Sequence, residues 1–216
     1  MKKASIVIID YGMGNIKSIY NALVRMGGDV SISRSVEDLL AADALVLPGV
    51  GAFGEAMSHL KSFKLIDSII EAAKNQGKPL LGICLGMQLL ADTSDERGSS
   101  KGLSLIPGSV ERIPVAADLR FPHIGWNSLS IYRKEPLFAD MNEGDSVYFV
   151  HSYHFVCEKD YIAATTDYGC EVVAAVQHDN IFGVQFHPEC SQKNGLMLLG
   201  NFVDYVNRTC MEVEPC

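Results

Sequence analysis

A cysteine stands between two glycines in GICLG, Gly82 to Gly86, where an apolar run gives way to the helically spaced LGMQLLAD. A strand that turns sharply into a helix lifts the residue at the bend out of its sheet. Flanking glycines remove the Cβ clashes that would forbid such a bend. Cys84 therefore occupies the place that a nucleophile elbow gives to serine. A helix start near Leu85 presents unpaired amides and a positive dipole end, which favour thiolate over thiol. The structural alternative is a small buried hydrophobe, with the glycines serving close packing.

A second signal lies a hundred residues on, in GVQFHPE, Gly183 to Glu189. A hydrophobic strand delivers His187, and Pro188 prevents the strand from continuing. A thiol nucleophile needs an imidazole to take its proton and return it to the leaving group, and a carboxylate such as Glu189 can orient that imidazole. Spaced by two, His187 and Glu189 share one side of an extended stretch. A lone histidine at a loop more often satisfies backbone groups, so the conjunction with Cys84 carries the assignment. A third segment, PGVGAFGEA from Pro48 to Ala56, reads as a glycine-rich loop after a strand. Amides of Val50 or Gly51, with that of Leu85, can face the oxyanion formed when an amide is attacked; the structural alternative is a tight turn alone. DYGMGN lacks the third glycine of GxGxxG, having Lys17 there, and GxxxxGK[ST] is absent, so no nucleotide or other cofactor is expected.

These residues need strands to carry them. SIVIID (Ser5 to Asp10) reads as a doubly covered strand. Asn15 can cap the next helix, whose apolar face is Ile16, Ile19, Tyr20, Leu23 and Val24, ending at Gly27 and Gly28. Val30–Ser33 extends, Val36–Ala41 coils and Ala44–Leu47 extends again. A helical stripe of Leu65, Ile66, Ile69, Ile70 and Ala73 precedes the strand Leu80–Cys84. Such alternation implies a parallel sheet with helices on both faces, and sites in that architecture form at the carboxyl ends of the strands. In the second half, Val147–Val150, Tyr161–Thr166, Val172–Gln177 and Ile181–Gln185 read as strands with little helix between them, so some pair antiparallel. HDNI forms a hairpin turn between the last two. A final helix spans about Asn194–Asn207, burying Leu196, Leu199, Val203 and Val206.

With 216 residues, 48% hydrophobic and no break in composition, the chain reads as one domain over 1–216. A net charge of −8 argues against nucleic acid or an anionic membrane as partner. The opening MKKASIVIID resembles a secretory signal, but its apolar run stops at Asp10 and no cleavage pattern follows; a cytoplasmic protein is expected. The six cysteines have no framework spacing, so reduced thiols are expected. His187 and Cys190 form a single HxxC with no second pair, so no metal site is expected.

GICLGMQ together with GVQFHPE resembles the class I, triad-type glutamine amidotransferases. More narrowly, IDYGMGN, LPGVGAF, PHIGWN and YFVHSY are similar to the glutaminase subunits of imidazole glycerol phosphate synthases, from Ile9 to about Val206. The resemblance implies a flavodoxin-like three-layer α/β/α fold, with a mostly parallel central sheet and additional antiparallel strands in the C-terminal half. It implies hydrolysis of L-glutamine through a thioester on Cys84, with His187 as acid and base and Glu189 orienting it. By the same carry-over, Val50, Gly51 and Leu85 match the oxyanion region, and Gln88, His151, Ser152 and Tyr153 match positions that hold glutamine. Ammonia would pass to a (β/α)₈-barrel cyclase subunit as heterodimer partner in histidine biosynthesis. Asn15, Trp126 and Cys190 are assigned to the partner-facing surface. The family usually has lysine after HPE where this chain has Cys190, which bears on partner identity. Related subunits serve sugar amidation in surface-polysaccharide pathways, and a catalytically silent subunit or a free-standing hydrolase are the further alternatives.

Overall fold

The computed structural model describes residues 3–115 and 119–213; residues 1–2, 116–118 and 214–216, Cys216 among them, lie outside the described residues. The first half runs β1 (Ser5–Ile9), α1 (Ile16–Arg25), β2 (Asp29–Ser33), α2 (Val36–Ala41), β3 (Ala44–Leu47), α3 (Phe53–Ser62), α4 (Ile66–Ile70) with a π-helical turn Glu71–Asn75, β4 (Leu80–Ile83) and α5 (Leu85–Gln88). The second half adds β5 (Thr93–Ser94), β6 (Ser100–Lys101), β7 (Ser109–Arg112), β8 (His123–Ser128), β9 (Ser130–Ile131), β10 (Ser146–His151), β11 (Tyr153–Val156), β12 (Ile162–Asp167), β13 (Glu171–His178), β14 (Ile181–Val184) and α6 (Gln192–Val213).

The central sheet has the order β2-β1-β3-β4-β14-β13-β12-β9. Its strands from β2 to β14 are parallel, and β13, β12 and β9 continue it antiparallel. Every residue of β3, β4 and β14 is buried, as expected of apolar strands covered on both faces. One covering layer brings Ile19 and Leu23 of α1 together with Leu199 and Phe202 of α6; the other brings in Phe53 and Leu60 of α3 and Ile69 of α4. The arrangement is a three-layer α/β/α fold. The HDNI turn closes the β13–β14 hairpin with His178 opposite Ile181 and Asp179 at φ 51°. Among the described residues, no helix is long and apolar enough to cross a membrane.

Three local expectations are corrected, and one strand is placed. The glycine-rich loop ends at Ala52, and Phe53 to Ala56 are already helical: Phe53, Ala56 and Leu60 give α3 a buried face, while the Glu96 carboxylate accepts from the Phe53 amide at 2.7 Å. The helix after Cys84 is a single turn. Residues Gly102 to Ile106 dock on the segment that follows it and take the carbonyls of Leu89, Leu90, Ala91 and Asp92, so the helix stops at Gln88. Asn15 makes no side-chain cap on α1; its Nδ2 donates instead to Glu189 Oε1 at 3.4 Å. The strand at Val147–Val150 belongs to β10, which pairs with β8 of PHIGWN outside the main sheet, while β11, β7, β5 and β6 form a third sheet.

Candidate active site

Cys84 and His187 follow adjacent parallel strands. Val184 pairs with Ile83, and the Cys84 amide donates to the Val184 carbonyl at 2.8 Å, so both strands release their next residues at one end of the sheet. Cys84 leaves β4 at φ 54° and ψ −112°, a strained conformation for a residue with a Cβ. The bend is tight: a Cβ on Gly86 would stand 1.8 Å from the Leu47 carbonyl oxygen. Gly86→Ala must therefore push β3 and the elbow apart. The expected cost is about 3 kcal/mol, a melting-temperature fall of about 10 °C, and an unchanged thermal melt would refute so close a contact.

Beyond β14 the chain forms a 3₁₀ turn at Pro188–Cys190, not an extended stretch, yet His187 and Glu189 still meet: Nδ1 lies 2.9 Å from Oε1. The turn is pinned to β10. The His187 amide donates to the Tyr148 carbonyl, and the Ser191 hydroxyl donates to the His187 carbonyl while accepting from the Tyr148 amide. The Glu189 side chain is fully buried, and among the described residues its Oε2 has no hydrogen-bond partner. Burial alone would lower the pKa of His187. Its side-chain interaction with Cys84, and then that with Glu189, override burial and push it up to about 11, so the ring holds its proton beside the sulfur.

A cleft of about 220 Å³ opens over this group. It is lined by Cys84, Leu85, Gln88, His151, Ser152, Tyr153 and His187, and also by Val50, Gly51, Glu96, Pro122, Ile124 and Val150. Gly51 sits at φ 103°, a conformation suited to glycine. Among the described residues the amides of Val50, Gly51 and Leu85 make no hydrogen bond, leaving three donors around the cleft. The loop that carries the first two is held by buried Tyr11, whose hydroxyl donates to the Pro48 carbonyl at 2.7 Å. Burial, then proximity to Cys84, raises the Tyr11 pKa. Since α5 is one turn long, what it offers an oxyanion is these local amides, not a macrodipole.

Glu96 and Gln185 were not legible as site residues. Glu96 reaches the cleft from DERGSS, a segment without periodicity. Gln185, fully buried, looks like an ordinary strand residue and meets the site only through partners about a hundred positions away. Of the residues assigned to a partner, Trp126 is on β8, 49% exposed beside Tyr148 on the side where Ile124 and Val150 are also exposed. Cys190 is exposed next to Glu189. Burial, then the charge of Glu189, pushes its thiol up, which disfavours a thiolate there.

The opposite side of β8 and β10 carries two buried histidines. His151 Nδ1 lies 2.9 Å from the Tyr153 carbonyl, which only accepts, so Nδ1 carries a proton. His151 Nε2 then accepts from His123 Nδ1 at 2.9 Å, and His123 Nε2 faces Asn127 Nδ2 at 3.4 Å. Both rings must be neutral in this chain. Burial accordingly lowers His123 to about 4 and His151, helped by nearby histidines, to about 3. In the unfolded chain both would titrate near pH 6.5. Their contribution to stability is thus present above that pH and lost as pH falls toward 4 and then 3. Melting temperatures are expected to decline through this acid window, and His123→Gln should flatten the decline by up to about one proton; an identical slope would refute the neutral pair.

The family model described as glutamine amidotransferase class-I matches residues 7–205, and the chain belongs to that family. The chain is 48% identical over 202 residues to the imidazole glycerol phosphate synthase subunit HisH 2 of Vibrio vulnificus, covering 93% of this chain and 94% of that one. It is 47% identical to the subunit HisH of Moorella thermoacetica, covering 93% and 95%. The structure of PurLQS from Thermotoga maritima shares the fold, with a TM-score of 0.73, 18% identity, and 95% of this chain and 100% of that chain covered.

Proposed function

We propose that this chain is the glutaminase subunit of a two-subunit synthase, releasing ammonia from glutamine for a (β/α)₈-barrel cyclase that forms imidazole glycerol phosphate in histidine biosynthesis. The observation that carries the reading is the convergence of Cys84, at the strained end of β4, with a His187–Glu189 pair at the end of the adjacent β14, under one cleft. Relatives at 48% and 47% identity, named as subunits of that synthase, support the choice of partner.

The Cys84 sulfur attacks the side-chain carbonyl carbon of glutamine. Negative charge develops on its oxygen, which the amides of Val50 or Gly51 and Leu85 stabilise. His187 gives its proton to the leaving nitrogen, ammonia departs, and a thioester remains. His187 then takes a proton from water, which attacks the thioester; glutamate leaves and the sulfur is restored. Glu189 holds the imidazole by Nδ1, so its other nitrogen is the one that moves protons.

Substrate recognition follows from what the cleft leaves free. Gln88 spends both N–H groups on Tyr153 and Gln185, so toward the cleft it only accepts, which suits an N–H of the substrate. Glu96 supplies a carboxylate for the substrate's ammonium group, and Ser152 and Tyr153 close the same wall. Neutral His151 fixes the Tyr153 carbonyl. The exposed strip of Ile124, Trp126 and Val150 borders the cleft and suits a partner that shields ammonia from water, with Asn15 and Cys190 on the same interface.

The test is to purify the chain with the barrel protein encoded beside it and ask which phosphorylated acceptor gains nitrogen from glutamine and accelerates its loss. A histidine-pathway acceptor supports the reading. A sugar acceptor would assign the chain to sugar amidation, and full turnover without any partner would make it a free-standing hydrolase.

A further inference from the structure

The same Tyr153 carbonyl that sets the histidine tautomers also sets the direction of a second chain of hydrogen bonds, and that chain ends on the nucleophile. The Gln88 side-chain atom at 3.0 Å from this carbonyl must be the amide nitrogen, because a carbonyl cannot donate. That same atom lies 2.9 Å from an atom of the Gln185 side chain, which must therefore be the oxygen. Gln185 is left no choice of orientation: its Nε2 points to Cys84 Sγ, at 3.7 Å. Besides His187, whose protonated ring stands beside it, the sulfur meets the Val150 carbonyl at 3.9 Å, which accepts from a thiol and has nothing to offer a thiolate.

We propose that Gln185 is a catalytic residue of this chain: fully buried, and locked by Gln88 and the Tyr153 carbonyl, it directs a fixed N–H at Cys84 Sγ and stabilises the thiolate. The proposal rests on the reading of Cys84 as the nucleophile. A buried amide that cannot rotate favours the charged sulfur over the neutral one, since hydrogen bonds to ions are the stronger. A freely rotating amide would turn its oxygen toward a thiol and its nitrogen toward a thiolate, and would discriminate less. The lock needs no contact with glutamine, so it acts on the unliganded chain.

The experiment measures alkylation of Cys84 by iodoacetamide at pH 8 in the full chain, followed at its own peptide by mass spectrometry, with thermal melts alongside. In Gln185→Leu, which removes the donor at similar volume, Cys84 should react about tenfold more slowly. Gln185→Glu keeps the acceptor toward Gln88 but turns a second carboxylate oxygen to the sulfur, and should react more slowly still. A purely structural glutamine predicts the opposite sign, because loosening the core uncovers the sulfur and speeds its reaction. Rates equal to or above the unmodified chain's, in whichever variant keeps a cooperative melt, would overturn the proposal. If Cys84 of the unmodified chain reacts no faster than Cys190, it is the nucleophile reading that fails.

Discussion

Cys84→Ala is expected to lower glutamine hydrolysis by about 10⁴-fold or more, while the assembled complex still makes product from added ammonia at close to its usual rate. Among the described residues that line the cleft, Cys84 alone has a thiol, so under the proposed mechanism water reacting directly there would keep only what binding and the oxyanion amides supply. The substitution removes one atom whose contacts with Val150 and Gln185 are both longer than 3.6 Å, so the fold should persist. The strained elbow also remains, since alanine meets the same restriction at φ 54° that cysteine does. The partner's chemistry should then run on ammonia from solution. A catalytically silent subunit predicts no change with glutamine, so full glutamine-dependent synthesis by the variant would end the enzymatic reading. Loss of the ammonia-dependent rate as well would point to a damaged interface instead.

The strands that carry this chemistry were legible because burial on both faces leaves a plain apolar run. SIVII, ALVL and LLGI sit where expected, to within a residue, and glycines mark the elbow between β4 and α5. Their neighbours in space were less legible. Strand β8 alternates buried His123 with exposed Ile124 and Trp126, but its exposed face is apolar, which hides the period-two signal of a half-buried strand. The first residues of α3 were hidden by Gly54, which marks a loop in sequence but is tolerated in the first turn of a helix. Asn15 has the chemistry of a cap, yet its side chain is directed to Glu189, to which its Nδ2 donates, and its oxygen caps nothing. The triad candidates could be found because each stands at a break in a pattern, glycine beside Cys84 and proline after His187. Gln185 could not, because it stands inside a strand and its role is defined only by the polarity of atoms brought from Gln88 and Tyr153.

Glu189→Gln separates the charge of the carboxylate from its hydrogen bond. Glutamine can keep its side-chain oxygen 2.9 Å from His187 Nδ1, so the ring need not move. Its nitrogen then replaces Oε2, an atom that is buried and unpartnered among the described residues. For a carboxylate the lack of donors there concentrates charge on the oxygen shared with His187; for an amide it leaves a buried N–H group unsatisfied, at a cost of about 1–3 kcal/mol. The loss of charge matters more for the reaction. His187 is held up at about 11 by Cys84 first and Glu189 second, and removing the second brings its pKa down. The imidazolium that protonates the leaving nitrogen is then lost at lower pH, so the alkaline limb of kcat moves toward neutrality. At pH 7 kcat should fall about 10²- to 10⁴-fold, and Glu189→Asp, which keeps the charge on a shorter arm, should lose less. The sign for stability agrees: a raised histidine contributes most below pH 6.5 and loses that contribution as pH rises toward 11, so the Gln variant should melt with a smaller alkaline decline than the unmodified chain. A kcat within a factor of three of the original, with the alkaline limb unmoved, would mean that Glu189 only fills space beside His187.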